Sequence, residues 1–199
     1  MIKSIIFDWG GVLIESPSHK IISYCANYLN VSYNSMYEEY RKYKPIFQKG
    51  LITDNMLWEK ICNELTLKIP RINSLWKEAF KAAYNERKKV FSVVKKLKED
   101  GFKIGFLSNT ELPSVEFFKE LDYNLFDILV FSCFEGVRKP ELKIYDIIVS
   151  KLSLNPNEIL FIDDRIENIL AANQIGINTI QYKDFNKFYN ELNKSIELK

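Results

Sequence analysis

Four short stretches of the chain carry side chains that could do chemistry together. Asp8 ends the apolar run Ile2–Phe7, Ser108 and Asn109 follow Phe102–Leu107, Lys139 precedes Pro140, and Asp163-Asp164 follow Ile159–Ile162. Three carboxylates, a hydroxyl and an ammonium on one rim make a cage for a hard divalent cation and a phosphate. Carboxylate oxygens suit magnesium, and a lysine beside a helix amino terminus takes up further negative charge. Each residue also has a plainer reading. Asp8 alone reads as a turn or cap residue, Ser108-Asn109 as a turn pair, and Lys139 as a solvated lysine. Asp163-Asp164 could cap a helix, but two adjacent acids at a buried strand end repel unless a cation joins them.

Parallel strands would bring these positions to one rim. The runs Ile2–Phe7, Phe102–Leu107, Ile128–Phe131 and Ile159–Ile162, with a weaker one at Asn178–Tyr182, are short, apolar and closed by turn residues. That is the grammar of strands buried on both faces. Helical spacing lies between them: Val90, Phe91, Val94 and Leu97, then Ile144, Ile147, Ile148 and Leu152 with Pro140 in the first turn. Further on come Ile166, Ile169, Leu170 and Asn173, and last Phe185, Phe188, Tyr189, Leu192 and Ile196. Alternating units joined by long connections predict an α/β fold with a doubly wound parallel, Rossmann-like sheet. In such sheets ligands bind beyond the carboxyl ends of the strands.

One stretch breaks the alternation. From Val12 to about Asn85 only helical patterns occur, with starts at Ser18, Asn34 or Ser35, Thr53-Asp54 and Asn73-Ser74. This predicts an inserted α-helical cap domain over 15–85, within a core domain formed by 1–14 and 86–199. Tyr33, Tyr37 and Tyr40 are expected on one face of the insert's own core, with stacking on a sugar as the functional alternative.

The order Phe7-Asp8-Trp9-Gly10-Gly11-Val12-Leu13, Leu107-Ser108-Asn109-Thr110, Gly136-Val137-Arg138-Lys139-Pro140 and Phe161-Ile162-Asp163-Asp164-Arg165-Ile166-Glu167-Asn168 resembles the four motifs of the haloacid dehalogenase superfamily. The nearest likeness is to its sugar-phosphatase branch and to the amino-terminal phosphatase domain of epoxide hydrolases. The resemblance implies a magnesium-dependent phosphatase. In it Asp8 is the nucleophile that forms an aspartyl-phosphate, Ser108 binds the phosphoryl oxygens, and Lys139 neutralises them. Asp8, the Gly10 carbonyl and Asp164 hold Mg2+, with Asp163 beside them and Asn168 behind. Trp9, Gly10, Ser108, Asn109 and Lys139 would meet the substrate, although Trp9 is equally readable as packing. Phe47–Thr53 resembles the loop with which caps of this family approach the site, placing Lys49 near an anionic substrate or on the surface.

At one position the chain departs from the family. Most of these phosphatases carry an acid two residues after the nucleophile, where this chain has Gly10. General acid–base help is worth about 10²–10⁴ in rate, roughly 3–5 kcal/mol. Its loss matters least for a leaving group that needs little protonation, such as an anomeric, acyl or aryl phosphate. Gly10 therefore leaves two readings: a leaving-group-selective phosphatase of a small sugar phosphate, or a catalytically weak member that binds a phospho-ligand or a protein. Asp163-Asp164 argues against a metal-free dehalogenase and Gly10 against a phosphomutase.

Composition limits the field. The chain has 199 residues, 47% of them hydrophobic, which suffices for a core without staples. Lys and Arg number 28 against 26 Asp and Glu, so no basic footprint for nucleic acid stands out. Cys25, Cys62 and Cys133 form no CxxC, which fits a reducing compartment without zinc. No apolar run reaches membrane-spanning length and no signal peptide is evident. The expectation is a cytoplasmic protein whose partner is a small phosphorylated metabolite, with neither nucleic acid nor membrane; nothing in the sequence sets an oligomeric state. His19, the only histidine, reads as surface decoration.

Overall fold

Each apolar run becomes a parallel strand whose alternate side chains feed opposite layers. In the computed structural model, which describes residues 1–121 and 123–196, the strands are β1 (Ser4–Phe7), β2 (Lys103–Ser108), β3 (Ile128–Phe131), β4 (Ile159–Asp163) and β5 (Asn178–Gln181). They form one sheet in the order β3-β2-β1-β4-β5, every pair parallel. Ile5 and Phe7 of β1 point to one face with Ile104, Phe106, Leu160 and Ile162. Ile6 points to the other with Leu107, Ile159 and Phe161. A period of two on strands buried from both sides explains why these runs are continuously apolar.

The helices that cover the first face are α5 (Lys88–Glu99), α6 (Leu112–Phe118) and α10 (Phe185–Ile196). Val90, Val94 and Leu97 of α5 join Phe188 and Leu192 of α10 in that layer. The other face is covered by α8 (Leu142–Leu152), through Ile144, Tyr145, Ile148 and Leu152, and by α9 (Ile166–Gln174), through Ala171 and Ala172. A short α7 (Ser132–Glu135) leaves β3. Between β1 and β2 lie α1 (Ser18–Leu29), α2 (Tyr33–Gln48), α3 (Asp54–Glu64) and α4 (Leu75–Ala83).

The two strands of chain that lead into and out of this helical insert are zipped together. Ile14 bridges Glu86 in antiparallel fashion, the Glu15 N–H donates to the Asn85 carbonyl and the Arg87 N–H to the Leu13 carbonyl, both at 2.9 Å. Among the described residues no helix is long and apolar enough to cross a membrane.

Several local expectations are corrected. Ser32, not Asn34 or Ser35, caps α2, its hydroxyl accepting from the Ser35 N–H. Pro17 stands at the cap of α1, one residue before Ser18, while Thr53 and Ser74 cap α3 and α4 as expected. Pro140 precedes α8 instead of opening its first turn, and its peptide bond with Lys139 is cis. On α9 the large residues Ile166 and Leu170 face solvent together with Asn173, and Ile169 packs inward beside Asn168, Ala171 and Ala172. Small side chains let that helix sit close to the sheet, so volume rather than hydrophobicity selects the buried face. The tyrosines supply only part of the insert's core. Tyr40 is buried in it and Tyr33 packs half-buried against it, as expected, whereas Tyr37 is exposed, as are Tyr24 and Tyr28; the rest of that core is Ile21, Ile22, Cys25, Met36, Phe47, Leu57, Trp58, Ile61 and Trp76.

Candidate active site

The sheet order makes β1 the central strand and puts the topological switch point between β1 and β4, where helices leave in opposite directions and a crevice opens. Register then fixes the rim. Phe7 lies opposite Phe106 on one side and Ile162 on the other, so the next residues, Asp8, Leu107-Ser108 and Asp163-Asp164, emerge at one height.

Lys139 is the hub of that rim. Its ammonium, 1% exposed, lies 2.8 Å from Asp8 Oδ1 and 2.7 Å from Asp163 Oδ2, and donates to the Leu107 carbonyl at 2.8 Å. All three donor positions of an ammonium are therefore used. Asn109 holds the lysine backbone on both sides: its Nδ2 donates to the Lys139 carbonyl and its Oδ1 accepts from the Lys139 N–H, each at 2.8 Å. Burial alone would lower the Lys139 ammonium, but Asp163 and Asp8 outweigh it and hold the group above its usual range. Asp8 answers in the opposite sense. Burial, reinforced by Asp163 and Asp164 and opposed by Lys139, pushes its carboxyl up to about 7. The Trp9 N–H also donates to Asp8 Oδ1 at 2.7 Å, so one carboxylate oxygen is anchored.

The two acids that end β4 divide the work. Asp163 is saturated: besides Lys139, the Arg165 N–H donates to it at 2.8 Å, and Asn168 Nδ2 reaches its two oxygens at 2.9 and 3.0 Å. Asn168 thus supports Asp163 from one turn into α9. Asp164 Oδ1, by contrast, is buried without a partner, and burial followed by Asp163 raises the Asp164 carboxyl. An orphaned carboxylate oxygen in a closed site calls for a cation. Asp8, Asp163 and Asp164 each offer an oxygen within 4.8 Å of the others, a donor set of the hard, all-oxygen kind that magnesium takes. Gly11, at φ +95°, makes room for it, because a Cβ there would run into the Asp164 carboxylate.

Around this centre the remaining candidates fall into place unevenly. The Ser108 hydroxyl accepts from Thr110 Oγ1 at 2.5 Å, and the Thr110 N–H is tied to Ser132 Oγ at 2.9 Å. Thr110 was missed in the sequence, although a second hydroxyl two residues after Ser108 was its signal. Trp9 is 1% exposed, with its ring packed on Phe80 at 4.7 Å and against Phe118 at 5.3 Å; it is a wall anchored in the core. Gly10 borders the same cavity. A Cβ at that position would stand 3.1 Å from Pro17 Cδ, a tight contact that the proline ring must relieve by a few tenths of an ångström before any side chain fits.

The insert roofs the rim, leaving a cavity of about 140 Å³. Ile21 of α1, Tyr40, Lys44 and Gln48 of α2, and Trp76 and Phe80 of α4 line it from above, and Glu111 and Arg165 from the loops after β2 and β4. Buried polar contacts join roof and floor. The Tyr40 hydroxyl donates to Glu111 Oε1 at 3.3 Å, Trp76 Nε1 to Ser114 Oγ at 3.1 Å, and Ser132 Oγ to the Gln48 carbonyl at 2.6 Å. Lys49 does not line the cavity; it pairs with Glu141 at 2.9 Å. His19 is exposed and stacks on Tyr33 at 4.7 Å.

Comparison with known proteins agrees with this arrangement. The chain is 28% identical over 189 residues to Acyl-CoA dehydrogenase family member 10 of Mus musculus, a match that takes in 90% of this chain and 18% of that protein. It is 25% identical over 184 residues to the sesquiterpene phosphatase astK of Aspergillus oryzae, covering 92% of this chain and 90% of the relative. The chain thus spans less than a fifth of one relative and nearly all of the other. Among solved structures, a HAD family enzyme from Bacteroides thetaiotaomicron in complex with magnesium and inorganic phosphate superposes with a TM-score of 0.80 at 22% identity, over 95% of this chain and all of that one. A family model for haloacid dehalogenase-like hydrolases matches residues 2–176. With the ends of β1, β2 and β4 converging on one lysine and most of the chain matched, this protein belongs to the haloacid dehalogenase-like hydrolase family.

Proposed function

We propose that this hydrolase is a magnesium-dependent phosphatase of small phosphate monoesters, working through an aspartyl-phosphate on Asp8, with residues 15–85 as the cap that selects substrate. The observation that carries it is the pairing of Lys139 with Asp8 and Asp163 beside an orphaned Asp164 oxygen. Magnesium held by Asp8, Asp164 and the Gly10 carbonyl, with Asp163 beside them, would offset the charge of the bound phosphate. The sesquiterpene phosphatase among the relatives and the neighbour crystallised with magnesium and inorganic phosphate support the same chemistry.

The chain's own residues divide the labour as follows. Lys139 and the Trp9 N–H fix Asp8 Oδ1, which leaves Oδ2 to attack phosphorus. The new bond joins Oδ2 to phosphorus and the bond to the leaving oxygen breaks. Ser108 donates to a phosphoryl oxygen, and Lys139 stabilises the charge that spreads over the group, a preorganised electrostatic contribution. The leaving oxygen takes its proton from solvent, because Gly10 supplies none. Water then cleaves the acyl phosphate, returning Asp8 and releasing inorganic phosphate. The roof formed by Tyr40, Trp76 and Phe80 limits the water that reaches the site.

A screen of phosphorylated metabolites with magnesium tests this reading. Turnover that vanishes without magnesium and falls by about 10³-fold or more in Asp8→Asn is expected. Gly10, which offers no side chain to protonate the leaving group, favours a second reading, a weak member that binds a phospho-ligand or a protein. Magnesium-dependent binding of phosphate esters with no turnover of any of them is the result that would select it.

A further inference from the structure

Three side chains on one face of α2, Tyr40, Lys44 and Gln48, follow at steps of four residues and all line the cavity. The first is held by Glu111. The other two are not fully matched by the protein. Gln48 is 7% exposed, yet its Oε1 is buried with no hydrogen-bond partner, while its amide nitrogen reaches the Asn109 carbonyl at 3.5 Å and its side chain also bonds Glu111. Lys44 is half-buried and, among the described residues, forms neither an ion pair nor a hydrogen bond.

Its neighbours on the same helix behave differently: Arg41 pairs with Glu38 and Lys42 with Glu39. Lys49, just past the helix, pairs with Glu141. Burying a cation without a counter-ion is costly unless something else supplies the charge.

The surroundings sharpen the mismatch. Burial lowers the Lys44 ammonium; Glu111 opposes that, while Arg165 and Arg138 push the same way as burial. Glu111 is a weak counter-ion, since burial raises its own carboxyl and its oxygens already accept from Tyr40 and Ser114. Arg165 is engaged by Glu167, and the buried Nε of Arg138 has no partner. The transferring phosphoryl group has its own cation in Lys139, so an ammonium in the roof is surplus to that group.

Resting on the phosphatase reading above, we infer that Lys44 binds a second anionic group on the substrate. The preferred ester thus carries a carboxylate or another phosphate on its leaving group, with a hydroxyl or amine of that group donating to Gln48 Oε1. Ile21, Trp76 and Phe80 flank the short carbon frame between the two charges, and the cavity of about 140 Å³ keeps that frame small. Lys44 and Gln48 are specificity residues here; neither touches the reacting atoms.

Phenyl phosphate and its analogues bearing a 4-carboxylate or a 4-phosphate test the inference. The wild type with magnesium is expected to favour at least one charged analogue by about tenfold or more in kcat/KM, the worth of one charge-assisted contact. Lys44→Met should bring that ratio to within about twofold of unity, mainly through KM, and Lys44→Arg should retain it. Which analogue is preferred identifies the anion. Equal handling of all three esters by the wild type, or an equal loss on all three in Lys44→Met, overturns the inference while leaving phosphatase activity intact. If none is turned over, the hydrolytic reading fails separately. Dissociation constants for the same esters on Asp8→Asn protein, with and without Lys44→Met, then decide the second-anion question by the same ratio.

Discussion

At the scale of single residues, the site is a contest between burial and charge. Asp8 and Asp163 share one ammonium, and the side that loses is Asp8, whose carboxyl stands at about 7 against an ordinary 3.8. In the unfolded chain Asp8 ionises near its ordinary value, whereas the folded, metal-free protein keeps the proton up to about 7. The stability this gives is complete at low pH and is lost as pH rises through that interval. Glu111, also raised by burial, acts in the same direction. Metal-free protein should therefore melt at a lower temperature at pH 8 than at pH 5.5, by roughly 2–4 °C for each kcal/mol lost. Magnesium, which needs the ionised ligands, should raise the melting temperature more at pH 8 than at pH 5.5. Differential scanning calorimetry at the two pH values, repeated with Asp8→Asn, measures both effects; a slope that survives Asp8→Asn unchanged would point to other groups.

At the scale of elements, the loop after β1 does most to shape the site. Gly11 and Asp164 come from different loops and meet so closely that one must lack a side chain. Gly11→Ala is expected to cost about 1–3 kcal/mol from backbone strain and to weaken magnesium binding through displacement of Asp164. Urea unfolding and magnesium titration calorimetry read the two consequences separately. Gly10 has a different constraint, since its backbone is unstrained and only Pro17 stands in the way. Gly10→Asp alone, which must push the Pro17 ring aside, should gain less than the same change with the ring removed. Combined with Pro17→Ala, it should raise kcat/KM on alkyl phosphates more than on aryl phosphates, within the roughly 10²–10⁴ that acid–base help supplies.

Asp8, Ser108 and Asp163-Asp164 were legible in the sequence because each closes an apolar run, and the parallel register does the rest; Lys139 closes none and was legible only through its motif before Pro140. The roof was not. Tyr40 was expected on a buried face, but Lys44 and Gln48 sit in a helix dense with charge, where polar side chains read as solvated, and only the tertiary position of α2 turns them inward. Pro17 was equally hidden, since nothing local announces which side chain it excludes.

At the scale of the whole molecule, the insert is fastened at two places, the zipped linkers at Ile14 and Glu86 and the buried contacts between roof and floor. These contacts are of unequal worth. The Lys49–Glu141 pair is partly exposed and should contribute no more than about 1 kcal/mol. Ser132 Oγ is buried and serves both the Gln48 carbonyl and the Thr110 N–H, so removing it strands two polar groups at about 1–3 kcal/mol. Ser132→Ala should accordingly lower the unfolding free energy and open the closed arrangement more than Lys49→Ala. Chemical denaturation and amide hydrogen exchange in α2 check the order, and the reverse order would mean that the ion pair, not the hydroxyl, holds the roof down. The proline in front of α1 has a consequence for descent as well. Any side chain at position 10 leans on that ring, so what Gly10 can become depends on what stands at position 17. Changes at the two sites should therefore be tolerated together more readily than either is alone, because neighbours in contact do not vary independently.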